Sequence, residues 1–277
     1  MKSGATRNGW VAAGLAVLAL QAGIANAADP AAAKPATAVA PAAEIDADAL
    51  ALLKKFGGFL AAQPRFGFEL DLSYEVLQED GQRLEFGSFR RYTIRRPDHL
   101  RIDEVRRSDG VREMYLDGKQ LTVWIPADNA YALAKFSQHR DLDATLDLVR
   151  DALNIVVPLG DLLRSDPMAR IEENMASAYV VGREDLAGVP CDHVAWRSDE
   201  VDAEAWIAAG DQPLIQRVVL QYRQLDGQPR FSAQFRSWTL APDVADSRFE
   251  FAPPEGAERL PLSVRGRDVQ PKEKSTP

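Results

Sequence analysis

The sequence predicts an α+β fold: a strongly curved, antiparallel half-barrel sheet of about eleven strands, with helices covering its concave face. Three observations predict it. Stretches of two-residue periodicity are separated by tight-turn dipeptides, as in an antiparallel meander. A block of helical periodicity interrupts the strands in mid-chain. Finally, 277 residues that are 46% hydrophobic suffice for a sizeable core.

The elements follow in chain order. Asp46 or Asp48 can N-cap a helix running to about Ala62, with Leu50, Leu53, Phe56 and Leu60 on one stripe and Pro64 beyond its end. The period then switches to two. Phe66, Phe68, Leu70, Leu72, Tyr74 and Val76 alternate with Gly67, Glu69, Asp71, Ser73 and Glu75, so one face is apolar and the other wet. Asp80-Gly81, Asp109-Gly110 and Asp117-Gly118 supply the positive φ angles of hairpin turns. Between them lie strands near residues 83–96, 99–107, 111–116, 120–125 and 130–136. Leu142, Leu146, Val149 and Leu153 then mark an amphipathic helix. Pro158 can open a short one carrying Leu159, Leu162 and Leu163, and Pro167 a third through Asn174. Strands resume at 178–185, 191–198, 203–208, 214–223 and 231–240, the last three separated by Gly210-Asp211 and Asp226-Gly227. Eleven strands in one open sheet should curl, and the inserted helices find their apolar partner on the concave side. Such a half-barrel is either filled by side chains or retains an apolar cavity.

The ends of the chain have a different character. Lys2 and Arg7 precede an apolar run over residues 10–20 that is too short to span a bilayer core of ~30 Å as a helix. Ala25-Asn26-Ala27 then offers small residues where a signal peptidase reads. Residues 1–27 are expected to be a cleaved signal peptide; an uncleaved anchor is the alternative that the short run disfavours. Removal leaves 250 residues and takes the formal charge from −8 to −10. No cysteine stands at the expected cleavage point, so lipid modification there is not expected. Residues 28–43, almost only Ala and Pro, read as a disordered linker, 44–262 as the folded domain, and 263–277 as a polar tail. The expected compartment is the periplasm, with no transmembrane segment after signal removal.

Composition excludes several functions. With 33 basic and 41 acidic residues, sequence-independent nucleic-acid binding is not expected. One cysteine excludes an intramolecular disulfide and a thiolate-only zinc site. Cys191-x-His193 places two ligand types on one strand face without a second pair, so no metal is expected. None of the G-x-S-x-G, H-E-x-x-H, G-x-x-x-x-G-K-[ST] or G-x-G-x-x-G patterns occurs, and His99, His139 and His193 are the only histidines. Accordingly no catalytic residue and no cofactor are expected.

Two groups of residues are candidates for binding. Phe66, Phe68, Leu70, Leu72 and Tyr74 share one face, and Trp124, Trp196, Trp206, Tyr222 and Phe235 lie on other strands with faces unassigned. Together they can line an apolar site for an acyl chain, to which each buried methylene contributes about 0.8 kcal/mol. An ordinary packed core is the alternative for any one of them. The second group is a run with nine arginines against five acids between Arg83 and Arg112. Arg90, Arg91, Arg95, Arg96 and Arg101 are its candidates for contacting a lipid headgroup or an acidic partner. A solvated face paired with acids elsewhere is the alternative.

The C-terminal half reads Ala187-Gly188-Val189-Pro190-Cys191-Asp192-His193, then Ala205-Trp206-Ile207, Pro213-Leu214 and Trp238, and closes with Phe249-Glu250-Phe251-Ala252-Pro253-Pro254-Glu255-Gly256-Ala257. This resembles, roughly from Leu50 to Leu260, a family of bacterial proteins described as predicted periplasmic, with a domain of unknown function. More distantly the chain is similar to periplasmic lipoprotein carriers of the LolA type. The shared pattern comprises Arg95, Arg96, Pro97, Leu100 and Arg101, then Asp117-Gly118-Lys119, then Phe249, Phe251, Pro253, Pro254 and Gly256. That resemblance implies a half-barrel sheet lidded by helices and, more weakly, lipid carriage.

The function expected from these readings is that of a non-enzymatic periplasmic binding protein. It would hold an acyl chain or lipidated protein in an apolar cavity between sheet and lid, with residues 142–153 or 159–163 moving to open it. The alternative is an envelope-stress signalling or protein-interaction module. Its contact surface would be the arginine-rich face and its partner an envelope protein.

Overall fold

The computed structural model describes residues 44–108, 110–151, 157, 159–261 and the backbone of 263–264 and 267–268. The stretches expected to be signal peptide and Ala/Pro linker, most of the expected polar tail, Asp109, Leu153 and Pro158 lie outside the described residues. The chain runs α1 (Ala47–Ala61), β1 (Arg65–Leu77), β2 (Arg83–Arg95), β3 (His99–Arg106), β4 (Gly110–Asp117), β5 (Gln120–Ile125) and β6 (Ala130–Lys135). Then come α2 (Leu142–Asp151), a 3-10 turn (Gly160–Leu163) and α3 (Ala169–Glu173). The second strand group is β7 (Ser177–Leu186), β8 (Val189–Arg197), β9 (Val201–Ala208), β10 (Ile215–Tyr222) and β11 (Arg230–Leu240). A short β12 (Glu258–Leu260) follows.

The fold is α+β, and these twelve strands form one open sheet in the order β12-β6-β5-β4-β3-β2-β1-β11-β10-β9-β8-β7, while Ser263–Val264 pairs with Arg267–Asp268 in a separate two-stranded sheet. Every pairing is antiparallel except that of β12 with β6. Two meanders are therefore joined along β1, which pairs with β2 on one side and β11 on the other. The expectation of about eleven strands missed β12 and the two-residue strands Ser263–Val264 and Arg267–Asp268, which lie in the stretch read as a polar tail. Three residues behind Pro253-Pro254 are too few to show a period, and a parallel partner leaves no hairpin turn to read.

Of the two candidate caps for α1, Asp46 is the one used: its carboxylate accepts the Asp48 N–H at 2.9 Å. The buried side of α1 carries Leu53, Phe56 and Leu60 and packs against β7 and β8. Leu142, Leu146 and Val149 of α2, Leu162 and Leu163 of the 3-10 turn, and Met168 before α3 complete the helical layer's apolar side. These residues form one core with the inward positions of the sheet. Register shows which positions those are. Phe66 faces Ile94, Phe68 faces Tyr92 and Leu72 faces Ala233 across the ladders, and each of these side chains is buried.

The outer face is also covered, over part of its area. Beyond β11 the chain turns back through a 3-10 turn (Asp246–Arg248) and lays Phe249 and Phe251 against the outside of the N-terminal meander. Phe249 is fully buried, edge-on to His99 at 5.1 Å and beneath the Arg95 guanidinium at 5.0 Å. Phe251 sits 5.2–5.6 Å from the rings of Tyr115, Trp124 and Tyr131, which belong to three successive strands. The closing Phe-x-Phe-x-Pro-Pro motif is thus a strap over the convex side, and it leads directly into β12. Truncating Phe249 to Ala should lower the unfolding free energy by about 3–5 kcal/mol, read from the denaturant midpoint at constant m-value. A loss below about 1 kcal/mol would show the strap to be dispensable.

Candidate functional site

The inner face of the sheet and the helical layer over it make up the candidate site. Phe66, Phe68, Leu70 and Leu72 are buried on that face, and Tyr74 packs half-buried at its far end. Phe235, Trp196 and Tyr222 also join this core. Aromatic rings dominate its centre: Phe68 stacks on Tyr92 at 4.5 Å, Trp238 on Phe235 at 5.0 Å, and Phe68 lies 4.9 Å from Trp238. The Trp238 indole N–H donates to the Ile215 carbonyl at 2.8 Å, which satisfies the ring's polar atom without water. Burial pushes the Tyr222 hydroxyl above its ordinary pKa.

Two of the ten apolar candidates lie elsewhere. Trp124 and Trp206 are on the opposite, outer face. Trp124 pairs in register with Tyr131 and packs on Phe251. Trp206 stacks on His193 at 4.0 Å. Their burial comes from the C-terminal strap and from a small outer cluster of Cys191, Trp206 and Val219. Sequence alone does not expose this, because a tryptophan covered on the outer face looks like one covered on the inner face.

One carboxylate gathers three parts of the helical layer. Asp147 on α2 accepts from Arg150 at 3.1 Å, from Arg164 at 2.8 Å and from Arg170 at 3.5 Å, which gathers α2, the 3-10 turn and α3. Asp143 accepts the backbone N–H of Ser165 at 2.9 Å and also its hydroxyl. Lys54 reaches Glu172 at 3.2 Å, linking α1 to α3. Gly57 marks the closest approach of these helices: a Cβ there would lie 2.2 Å from Met168 Cγ. Polar ties to the sheet are made at the β2–β3 turn, where the Leu142 N–H donates to the Pro97 carbonyl and Arg96 Nη1 to the Leu163 carbonyl, each at 2.8 Å.

Among the described residues, two open clefts mark the surface. One of about 140 Å³ lies beside Gly67 and Arg91. The other, of about 300 Å³, lies between α1 and the segment around Met168. The apolar inner face is instead packed by side chains of the helical layer.

The arginine run is paired within the chain. Arg90 binds Glu104 at 2.7 Å, Arg91 binds Glu69 at 2.6 Å, and Arg95 binds Asp246 at 2.6 Å. Arg101 is only 7% exposed and binds both Asp103 at 2.6 Å and Glu113 at 2.9 Å, with its guanidinium 3.6 Å above the Tyr115 ring. Several of these acids come from outside the run, so a count within it overstates the net field. Arg96 differs from its neighbours. Its guanidinium lies 5.3 Å over the Phe66 ring with Nε and Nη2 buried and without a hydrogen-bond partner among the described residues.

Each histidine is held by carboxylates. His99 and His139 share Asp98, the latter at 2.6 Å. Gly118 makes room there: a Cβ would stand 2.3 Å from the His139 ring, and the Gly118 φ of +76° suits glycine. His193 lies between Glu184 at 3.0 Å and Glu204 at 3.1 Å. Cys191 and His193 do share the outer face, but the thiol's hydrogen bond goes to the Val189 carbonyl, and burial first, then nearby carboxylates, pushes its pKa up. This is the environment of an inert thiol.

The model of the family described as "Predicted periplasmic protein (DUF2092)" matches residues 49–263. The chain belongs to this family. Its periplasmic assignment agrees with the compartment read from the N-terminal sequence, and no helix among the described residues is long and apolar enough to cross a membrane. No curated protein matches the sequence. Among solved structures, an uncharacterized conserved protein from Thermus thermophilus is similar at 8% identity and TM-score 0.46, over 77% of this chain and 98% of that one. LprF from Mycobacterium bovis is similar at 12% and 0.46, over 73% and 97%. A LolA superfamily protein from Nitrosomonas europaea is similar at 11% and 0.37, over 73% and 97%. At these scores the likenesses carry neither function nor ligand over to this DUF2092 protein.

The outer-face network has a pH signature. The indole N–H of Trp206 donates to Glu184 at 2.8 Å and, together with His193, holds that carboxyl below its ordinary pKa. A lowered folded-state value stabilises the protein above the unfolded-state pKa, and this contribution disappears as pH falls through the folded-state value. Trp206→Phe should therefore raise the Glu184 pKa, and the stability difference from wild type, present at neutral pH, should shrink as the pH falls through the folded-state value of that carboxyl. Carboxyl-carbon NMR titration of Glu184 checks this; an unchanged titration in the variant would show that the indole bond does not set it.

Proposed function

We propose that this protein is a non-enzymatic periplasmic binding protein that takes up the acyl chain of a lipid or lipidated protein between its sheet and its helical lid. The observation that carries this reading is the apolar cluster of the inner face, with Phe66, Phe68, Leu70, Leu72, Tyr74, Trp196, Tyr222 and Phe235 all part of one core beneath the helices and the Arg90–Glu104 pair beside it in register. A packed interior of this kind accepts a chain by exchange, with the chain replacing the lid.

Magnitudes permit that exchange. Lifting the joined layer exposes Leu142, Leu146, Val149, Leu162, Leu163 and Met168, at a cost of about 1.5–3 kcal/mol each. A chain gains about 0.8 kcal/mol per buried methylene, so on the order of ten to twenty methylenes offset the loss. The lid is suited to moving as one body, because Asp147 joins its parts internally. The reading as a protein-interaction module through the arginine-rich face is less well supported, since Arg90, Arg91, Arg95 and Arg101 already have carboxylate partners.

The test is native mass spectrometry of the mature protein from a native-like periplasm, followed by lipid extraction and uptake of a fluorescent fatty acid. A stoichiometric acyl species, or saturable uptake, is the expected result. A bare polypeptide mass together with no uptake would end the acyl-chain reading. In the same assay Gly57→Leu, whose side chain collides with Met168 and wedges α1 from the lid, should accelerate uptake several-fold. Unchanged uptake kinetics in a folded Gly57→Leu protein would rule out lid displacement at that seam.

A further inference from the structure

Most charged side chains of this protein point at a partner, and Arg96 is where the pattern changes. It follows the last residue of β2, and its backbone is fixed by the Arg96 N–H donating to the Pro64 carbonyl at 2.8 Å. The side chain passes over the Phe66 ring and under the helical layer, where only Nη1 finds an acceptor, the Leu163 carbonyl. The buried side-chain atoms without a partner among the described residues are Arg96 Nε, Arg96 Nη2, Thr122 Oγ1 and Thr145 Oγ1. Two belong to this guanidinium, and a third lies on the buried face of α2. Leaving such groups unmade costs more than an average hydrogen bond contributes, and more again for a charged group. Burial accordingly pushes the Arg96 pKa below its ordinary value, partly opposed by Asp143.

The identity of the two free atoms matters. Nε–H and the adjacent Nη2–H form the side-on edge of the guanidinium, with two parallel donors that match the oxygens of a carboxylate or phosphate. The nearby carboxylate, Asp143, is turned to the Ser165 backbone N–H and hydroxyl. We infer that Arg96 is an anion-recognition residue at the lid seam, whose Nε–Nη2 edge takes the carboxylate or phosphate head of an amphiphile as its chain lies on the apolar face beginning at Phe66. This inference rests on the acyl-chain reading for the chain, while the head-group contact stands on Arg96 alone. The ring of Phe66 beneath the guanidinium places the polar head at the end of the apolar face, so head and chain are recognised by adjoining surfaces.

The experiment compares dodecanoate, dodecyl phosphate and dodecanol, which share one chain, with inorganic phosphate as the chainless anion. Affinities come from displacement of a fluorescent fatty acid methyl ester. The Arg96 Nε–H resonance, assigned in wild-type protein through its side-chain correlations, is followed in parallel. Both anionic amphiphiles should bind at least about tenfold tighter than the alcohol, as charge-assisted bonds give. Both should shift the Nε–H signal, and Arg96→Met should abolish the preference. A Nε–H shift with inorganic phosphate alone and no binding of any chain would keep the anion site and end the acyl-chain reading. Equal binding of all three amphiphiles without a shift would end the anion site and leave the acyl-chain reading intact. Neither binding nor shift would overturn both. Wild-type protein decides each of these outcomes, so a variant that fails to fold removes none of them.

Discussion

Everything in this structure depends on β1 keeping its register with two partners. The strand pairs along its length with β2 and over most of it with β11, and among the described strands this β1–β11 ladder is what joins the meander β1–β6 to the meander β7–β11. Because side chains alternate with a period of two, a slip of one residue against either neighbour would send Phe66, Phe68, Leu70 and Leu72 to the wet face. Their burial therefore specifies the register, and the register in turn decides what the inner face of every other strand presents. The irregularity between Glu69 and Leu70 against β11 does not break this logic, since Phe68 still meets Trp238 and Leu70 meets Phe235 on the same side.

That constraint explains why so much was legible in the sequence. The alternation of Phe66 to Val76 is visible directly, and Asp-Gly dipeptides bound the hairpins that propagate its register outward. The Asp46 cap, the Leu142–Leu146–Val149 stripe and the eleven longer strands follow from local signals of the same kind. What stayed hidden is nonlocal. Trp124 and Trp206 alternate as regularly as any inward residue, yet they point outward, because segments distant in sequence cover the convex side there. The charge excess of the arginine run was equally misleading: Glu69, Glu113 and Asp246, which neutralise much of it, arrive by strand pairing and by the return of the C-terminal strap.

The strap also gives the closing motif a physical role. Phe249 and Phe251 need the aromatic surface of Tyr115, Trp124 and Tyr131, and that surface exists only when β4, β5 and β6 are paired. In turn the strap delivers β12 to the outer edge of β6 in parallel register, where no hairpin could place a strand. An edge that would otherwise be open is thereby shortened and covered, which limits unwanted pairing with other chains. The convex side is thus committed to stability, and the concave side is left as the surface whose cover is held by separate, smaller elements.

Those elements differ from the sheet in how they are held. Strands are tied by continuous ladders, whereas the helical layer coheres through side chains converging on Asp147 and meets the β2–β3 turn through the Leu142 and Arg96 bonds. Breaking a ladder costs many coupled hydrogen bonds, while lifting the layer costs apolar area and a few polar contacts, and only the apolar part is large. An apolar chain can return that area. On the proposed reading, the hydrogen bond from Arg96 to the Leu163 carbonyl would have to be replaced by something that accepts, and an anionic head would do so while also meeting the two donors left without a partner among the described residues. The same residue would then favour the closed state weakly and an occupied open state more strongly, the asymmetry that a ligand needs in order to shift the equilibrium between them.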